Sequence, residues 1–522
     1  MIRSVIFFLL CFITLHTSAQ SFGTDTPVIT DSLMEGYNPV LSVAHNGWVY
    51  AGFNSHFDFS SFYGVYVSKD QGNTWQPLFQ TEVFPSSAYH PVIQDIEVTG
   101  DDSLQLHLFV AYIAAGSASP LTIAYVNEYD GRTGALTGNT LSIGDGFTYG
   151  IADIAITSDD DFHSSLSSPF SIAVVYSEIS QGGIDSVIAL ISADGAWLFG
   201  SPQLIDTSHG EFHDVDIAYG YSSTQIPGGI LAVGFLRDKH LGCSVPNGTI
   251  LSAFSSPVYL DSLSSPNINN CYGFSLSTQK GNDVNAQNSI TVLLAANMNQ
   301  SLYGYYSLNA GASGTWNYAV IDNNPQHFPT IPSVEYDFVR KQFLATWYSG
   351  DNEQNNYLSC ALSDVSDFSN WNVFETNYCD TPQHLYGQNE SDPEICLDPD
   401  RGLLYTAWSE YDQSIQPHSG HLRVMTDHSS IPVGLDEFFT NESLMVFPNP
   451  VLDEINIQST QWSFSKLRYT ITSADGRTVN NGSFSLNFGM NKKLPLSTLP
   501  AGIYFIQWES ENEKFNTKLI KL

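Results

Sequence analysis

Short apolar runs separated by turn-forming residues fill most of the chain. Runs such as 171–177 (SIAVVYS) and 230–236 (ILAVGFL) are rich in β-branched and aromatic residues, which favour strands. No long segment shows the 3.6-residue apolar period of an amphipathic helix. The pattern therefore predicts an all-β protein.

Seven segments that pass from a polar or aromatic residue into an apolar strand recur at intervals of 52 to 64 residues. They start at Tyr37, Tyr89, Tyr149, Phe212, Cys271, His327 and Ser391. Each is followed by a second apolar strand, most by a third, and several by a fourth that starts near a tryptophan. Four strands in about 50 residues are typical of a β-propeller blade. The repeats predict seven blades, or six if one irregular repeat is miscounted.

The seventh repeat has no recognisable fourth strand after 422–426 (LRVMT). The segment 26–30 (TPVIT) precedes the first repeat and is predicted to supply that strand. The first and last blades would then share one sheet, which removes the open edges that invite aggregation.

Both ends of the chain differ from the repeats. Arg3, a following apolar run and small residues before Gln20 predict a signal peptide over residues 1–19. No later segment reaches the length of a membrane helix, so the mature chain is expected to lack a transmembrane segment. The predicted organisation is a propeller over 20–428, a linker over 429–443 and a small immunoglobulin-like β-sandwich over 444–522.

The last 80 residues carry a set of motifs between their short strands. These are FPNP at 447–450, a DGR turn at 475–477, LPAGIYFIQW at 499–508 and the closing KLIKL at 518–522. Together they resemble the type A C-terminal sorting domain of cargo of the type IX secretion system in Gram-negative bacteria. The resemblance implies that the type IX machinery is a partner, that the tail is an export address, and that the protein is secreted or lies on the outer cell surface.

The most specific motif in the body is SKDQGNTW at 68–75. It resembles the Asp-box, or BNR repeat, of sialidase-like propellers, through Ser68, Asp70, Gly72, Thr74 and Trp75. We expect a structural use: Asp70 accepts backbone N–H bonds across a turn, Gly72 takes a positive φ, and Trp75 packs between blades. Weaker copies end at Trp197, Trp316 and Trp371.

Sialidases clamp the substrate carboxylate with three arginines, a role that lysine does not replace. The body offers only five arginines, namely Arg132, Arg237, Arg340, Arg401 and Arg423. Arg132 and Arg401 lie in turn sequences, and no early arginine motif of the family is present. No sialidase catalytic residue is therefore carried over, and whether the protein is an enzyme stays open.

The starts of the innermost strands of a propeller meet at one mouth of its central channel, where ligand sites are common. The repeats place seven candidate ligand-binding residues near that mouth: Asn38, His90, Asp153, His213, Asp214, His327 and Asp392. Three histidines there are candidates for metal binding or acid–base chemistry. The competing and preferred interpretation is that these polar residues cap strands and hydrate the channel.

The charge is strongly negative, with a formal net charge of −35. Nucleic acid is excluded as a partner because phosphate binding needs a basic surface. The acidity favours solubility and, less strongly, attraction of Ca²⁺, the candidate cofactor, for which Asp159, Asp160 and Asp161 are a candidate site without EF-hand spacing.

Five cysteines follow the signal peptide, so an exported chain can form disulfides while at least one cysteine stays unpaired. Cys243 with Cys271, and Cys360 with Cys379, are candidate pairs.

Three functions remain at this stage. The leading one is binding of a glycan or other extracellular polymer by the propeller. The alternatives are a carbohydrate-active enzyme, either a non-sialidase glycosidase or a lyase, and a structural protein of the cell surface or matrix.

Overall fold

The computed structural model consists of two compact units, within Gln20–Ile431 and within Pro432–Leu522. The structure describes residues 26–29, 36–57, 60–83, 91–100, 106–115, 122–144, 149–158, 171–180, 183–192, 197–209, 212–220, 230–247, 252–261, 271–279, 292–298, 301–309, 311–324, 329, 332–337, 342–350, 356–363, 368–375, 393–398, 403–411, 422–428, 444–447, 454–459, 464–473, 477–486, 491–496, 499–500, 502–510 and 514–521.

The first unit contains seven four-stranded antiparallel sheets, which are the blades of a propeller. Their strands are, in the order of each sheet from its innermost strand, β2 (Tyr37–Val43), β3 (Val49–Phe57), β4 (Ser60–Ser68) and β5 (Gln76–Val83) in blade 1; β6 (Val92–Thr99), β7 (His107–Ala115), β8 (Thr122–Asp130) and β9 (Leu136–Ile143) in blade 2; β10 (Tyr149–Ser158), β11 (Ile172–Ser180), β12 (Asp185–Ser192) and β13 (Gln203–Ser208) in blade 3; β14 (Phe212–Gly220), β15 (Ile230–Arg237), β16 (His240–Ser244) and β17 (Val258–Tyr259) in blade 4; β18 (Cys271–Thr278), β19 (Val292–Met298), β20 (Ser301–Ser307) and β21 (Trp316–Asp322) in blade 5; β22 (Ser333–Asp337), β23 (Gln342–Gly350), β24 (Asn356–Ser363) and β25 (Trp371–Glu375) in blade 6; and β26 (Glu394–Leu397), β27 (Leu404–Tyr411), β28 (Leu422–His428) and β1 (Thr26–Pro27) in blade 7.

The blades close into a ring. Each innermost strand lies against that of the next blade, and β26 of the last blade lies against β2 of the first. The predicted closing strand is present: β1 pairs with β28 through Thr26 with Thr426, and Val28 N–H donates to Val424 O at 2.9 Å. Val28 and Ile29 are buried in a cluster that joins blade 1 to blade 7.

Burial explains why the second strand of each blade is rich in apolar residues. In β11 the first six residues are all buried, because each blade packs against a neighbour on both of its faces. An outer strand such as β9 (LTGNTLSI) is mostly exposed and correspondingly polar. The share of apolar residues in a strand therefore differs between the inner and the outer strands of a blade.

The innermost strands of blades 1 to 5 begin with β-bulges. Their register shifts lie between Tyr37 and Val40, Ile93 and Asp95, Ile151 and Asp153, Phe212 and Val215, and Cys271 and Phe274. A bulge leaves its extra residues unpaired and re-aims their side chains, often next to functional sites. The bulges thus set which side chains reach the start of the channel.

The second unit forms a three-stranded and a four-stranded sheet. The strands are β29 (Leu444–Phe447), β30 (Glu454–Ser459) and β33 (Asn491–Pro495) in the first sheet, and β32 (Thr478–Leu486), β31 (Phe464–Ser473), β34 (Gly502–Glu509) and β35 (Lys514–Lys521) in the second. Ile455, Leu467 and Trp508 are fully buried members of one core cluster that both sheets share.

The cysteines correct one expectation. Cys243 and Cys271 are both buried in one core cluster, yet they are free thiols. The described cysteines, which also include Cys360 and Cys396, form no disulfide. Cys243 and Cys271 fill apolar space as small hydrophobic side chains do. Cys379 lies outside the described residues.

Candidate functional site: a channel mouth at the propeller axis

A cavity of about 330 Å³ opens where the innermost strands begin. All seven blades contribute to it, through residues that include Val40, Gln94, Asp153, Asp214, Gly273, Ser333 and Glu394. Gln94, Asp214 and Gly273 occupy bulges, so the irregular strand starts build this mouth. The lining is mainly carboxylate, amide and hydroxyl groups with small apolar patches.

A second cavity of about 140 Å³ continues along the channel. It shares Asp95, Asp216 and Glu394 with the mouth and adds Glu97 and Glu335. Carboxylates therefore occur from the mouth into the interior.

Several of these polar side chains join one blade to the next. Neighbouring innermost strands are not paired in one sheet, so their backbone N–H groups need other acceptors. Six successive junctions have one: Ser42 Oγ accepts from Val98 N (3.0 Å), Asp95 Oδ2 from Ile156 N (2.8 Å), Asp153 Oδ2 from Val215 N (2.9 Å), Asp216 Oδ2 from Leu276 N (2.7 Å), Ser275 Oγ from Val334 N (3.2 Å) and Ser333 Oγ from Ile395 N (3.1 Å).

The three aspartates at these junctions also bind their own strands. Oδ1 of Asp95, Asp153 and Asp216 accepts from the N–H of the following residue at 2.7–2.8 Å. Both oxygens of each carboxyl group accept hydrogen bonds, and each group therefore links its own strand to the innermost strand of the next blade. The geometry gives these aspartates a structural role whatever else they do.

Burial raises the pKa of Asp153 to about 7, and the charge of Asp214 adds to the effect. Burial likewise raises the pKa of Asp216 to about 7, with a contribution from Glu335. The pKa of Asp95 is raised well above its usual value, mainly by burial. The backbone N–H bonds oppose these shifts without cancelling them, so a protonated fraction of Asp153 and Asp216 persists near neutral pH.

Among the described residues that line the two cavities there is no arginine or lysine. Arg132 pairs with Asp130 in a surface turn. Arg237 pairs with Asp206 at 3.1 Å and lies 4.3 Å from the ring centroid of Tyr259. The described lining thus lacks the guanidinium clamp that recognition of a sugar carboxylate requires.

Of the residues predicted for the mouth, Asp153 and Asp214 line it. Asn38 lies in the bulge of β2 at φ 50°, and its Oδ1 is buried without a hydrogen-bond partner among the described residues. His213 lies in β14, with only its backbone described. His90, His327 and Asp392 lie outside the described residues.

Sequence reasoning missed Asp95, Asp216 and Glu394. The available signal was a polar residue just before an aliphatic one near the start of each innermost strand, as in Asp95-Ile96 and Ser333-Val334. The pattern is weak, since polar and apolar residues alternate in any half-buried strand.

The Asp-box forms a compact turn between β4 and β5. Ser68 Oγ donates to Asp70 Oδ1 at 2.9 Å and accepts from Gly72 N at 2.7 Å. Thr74 donates to Asp70 through its N–H at 2.8 Å and its hydroxyl at 2.7 Å. Gly72 has a φ of 83°, which glycine adopts without strain.

Topology separates this turn from the channel mouth. Strands β2 and β4 run in the same direction, because each pairs antiparallel with β3. The mouth lies at the start of β2 and the Asp-box at the end of β4, hence on the opposite face of the disc. Trp75 Nε1 donates to Thr426 Oγ1 at 3.0 Å, which links the turn to the closing sheet.

Within the ranges that the structure describes, no group of three or more histidine, cysteine, aspartate or glutamate residues is arranged to hold a metal ion. The calcium candidates Asp159, Asp160 and Asp161 lie outside those ranges. A helix long and apolar enough to cross a membrane is likewise absent from the described part of the chain.

Residues 445–522 match the family described as the secretion system C-terminal sorting domain. The chain is therefore a propeller protein carrying an export tail for the type IX secretion machinery. It is secreted or placed at the outer surface of a Gram-negative bacterium.

Solved structures similar to this chain include a mutant NanB sialidase from Streptococcus pneumoniae, with 13% identity, a TM-score of 0.40, and coverage of 81% of this chain and 72% of that one. An α-L-arabinofuranosidase from Fusarium graminearum has 9% identity and a TM-score of 0.40, covering 78% and 97%. A protein of unknown function from Dyadobacter fermentans has 12% identity and a TM-score of 0.42, covering 66% and 98%. No curated protein sequence matches the chain significantly. At these values the similarity says nothing about activity.

Proposed function

We propose that the propeller binds a neutral extracellular polysaccharide at the channel mouth. The observation that carries the proposal is the composition of the mouth, a cavity of about 330 Å³ with many hydrogen-bond acceptors and no basic side chain in its described lining. Sugar hydroxyl groups donate to carboxylates, and such charge-assisted bonds are stronger than neutral ones. An anionic glycan would meet repulsion from the same carboxylates.

Asp214 is the carboxylate best suited to contact such a ligand. It lies in the bulge of β14, is partly exposed and lines the mouth. A sugar bound in the mouth would therefore contact Asp214. The export tail adds support, because it delivers the propeller to where extracellular polysaccharides occur.

A glycan array probed with the secreted chain tests the proposal. Neutral glycans are expected to bind, and sialylated or uronic-acid glycans are not. Asp214→Asn should weaken binding by about tenfold or more, the usual effect of losing hydrogen bonds to a charged group. Asp70→Asn, on the opposite face, is the matched control and should bind like the native chain. Preference for anionic glycans, or no binding to any glycan, would refute the proposal and, in the second case, favour a structural role.

Glycoside hydrolysis is the second candidate, favoured by one observation. Asp153 and Asp216 have a pKa of about 7, and a carboxyl group that keeps its proton near neutral pH is what a general acid requires. New reducing ends after incubation with a bound oligosaccharide, lost in Asp153→Asn, would establish it. If the oligosaccharide is still intact after prolonged incubation, hydrolysis is refuted and only the binding function remains.

A further inference from the structure

An exposed tyrosine stands at the rim of the channel mouth. Tyr272 is 55% exposed, although its neighbour Cys271 is 1% exposed. Both lie in the bulged start of β18, together with Gly273, which lines the mouth. The bulge therefore turns one large aromatic side chain out of the blade within one residue of the cavity.

The hairpin turn beside Tyr272 is tight, with two loop residues. Asp238 and Lys239 connect β15 to β16 with φ values of 49° and 68°, both in the left-handed region although neither residue is glycine. Lys239 O accepts from Cys271 N at 3.0 Å, and its ammonium lies 5.0 Å from the centroid of the Tyr272 ring. Left-handed φ values at both central residues are what the commonest two-residue hairpin turns require.

His240, the residue after Lys239, holds this turn through a contact with Asp261. His240 Nδ1 lies 2.5 Å from Oδ2 of Asp261, whose side chain is 4% exposed. Leu260 N–H donates to Leu241 O at 2.8 Å and holds the adjoining segment in place. These contacts hold the turn next to Tyr272 in place, so that less of the protein's own conformational entropy is lost when a ligand binds.

Topology places this hairpin turn on the mouth face of the disc. Arg237, at the end of β15, pairs with Phe212 at the start of β14, where the mouth lies. The turn, Tyr272 and the mouth cavity consequently share one face.

We propose that Tyr272 is a stacking platform for a pyranose ring of a neutral polysaccharide that extends out of the channel mouth. A pyranose presents an axial C–H face, which packs on the negative face of an aromatic ring. Tyr272 adds a second subsite to the mouth, so the ligand is a chain of several sugars. This inference rests on the proposed function and specifies the ligand as a polymer.

The test is titration calorimetry of the full secreted chain with cello-, laminari-, manno- and xylo-oligosaccharides of two to six units. Tyr272→Ala should weaken binding of the longest bound oligosaccharide by about threefold to tenfold, the range expected for one aromatic contact. It should leave the disaccharide unchanged, and Tyr272→Phe should keep the native affinity. Tyr318→Ala, at a 38% exposed tyrosine of the outer strand β21, is the matched control and should change nothing.

A second variant separates binding from folding. Lys239→Gly places glycine at a left-handed φ and should raise Tm by about 1 °C, while Tyr272 remains in place. Equal affinities of the native chain and Tyr272→Ala for every length would overturn the platform and leave the proposed function intact. Equal weakening at all lengths would place Tyr272 inside the first subsite and overturn the platform as well. Failure of all neutral oligosaccharides to bind would refute both.

Discussion

Between pH 8 and pH 5 the propeller is expected to become more stable, by about 2–3 kcal/mol for each of Asp153 and Asp216. Both carboxyls have a pKa of about 7 in the folded chain, against an ordinary value of 3.8. In this window the folded state therefore binds more protons than the unfolded state, and stability falls as pH rises. Thermal unfolding followed by calorimetry at pH 5, 6, 7 and 8 measures the effect.

Two variants identify the source of this pH dependence. Asp153→Asn and Asp216→Asn should each flatten the profile, because the titrating group is gone. Asp70→Asn serves as the control: hydrogen bonds from Thr74 and Ser68 lower the pKa of Asp70, so its contribution is lost only in acid below this window. A native Tm that is constant or lower at pH 5, or variants with the native slope, would contradict the assignment.

Replacing Thr426 by valine is expected to reduce the free energy of unfolding by about 2–4 kcal/mol, since two partners lose their hydrogen bonds. The Thr426 hydroxyl accepts from Trp75 Nε1 at 3.0 Å and donates to Thr26 O at 3.1 Å. Valine has nearly the same shape, so the loss reports the hydrogen bonds. For a unit of this size, Tm should fall by about 3–5 °C.

Thr140→Val is the control for this substitution. Thr140 is an exposed residue of β9 in blade 2, away from the closing sheet, and its replacement should leave Tm within about 1 °C of the native value. If Thr426→Val and Thr140→Val have the same Tm, the contact between the Asp-box tryptophan and the closing sheet does not stabilise the ring.

Most of the fold follows from the sequence because each blade repeats one hydrophobic pattern. The closing strand is the clearest example: the missing fourth strand of the last repeat pointed to 26–30, where β1 lies. Irregular elements escaped the pattern. β17 has only two residues, and β33 (NKKLP) is a lysine-rich strand without an apolar run. The innermost strand of the sixth repeat starts at Ser333, after the prolines at 329 and 332 that cannot donate to a ladder.

The site was harder to predict than the fold. Asp153 and Asp214 were found because the repeats align the strand starts, and the structure places both at the mouth. The role of Asp95 could not be read from its neighbours, since its partner Ile156 is 61 residues away and is fixed only by ring closure. Tyr272 was likewise inconspicuous, because in sequence it is one aromatic residue in an aromatic-rich chain.

The last sheet joins residues 400 positions apart in the chain. No shorter portion of the propeller can complete the ring, so a chain that ends before Thr426 leaves an open arc with unpaired strand edges.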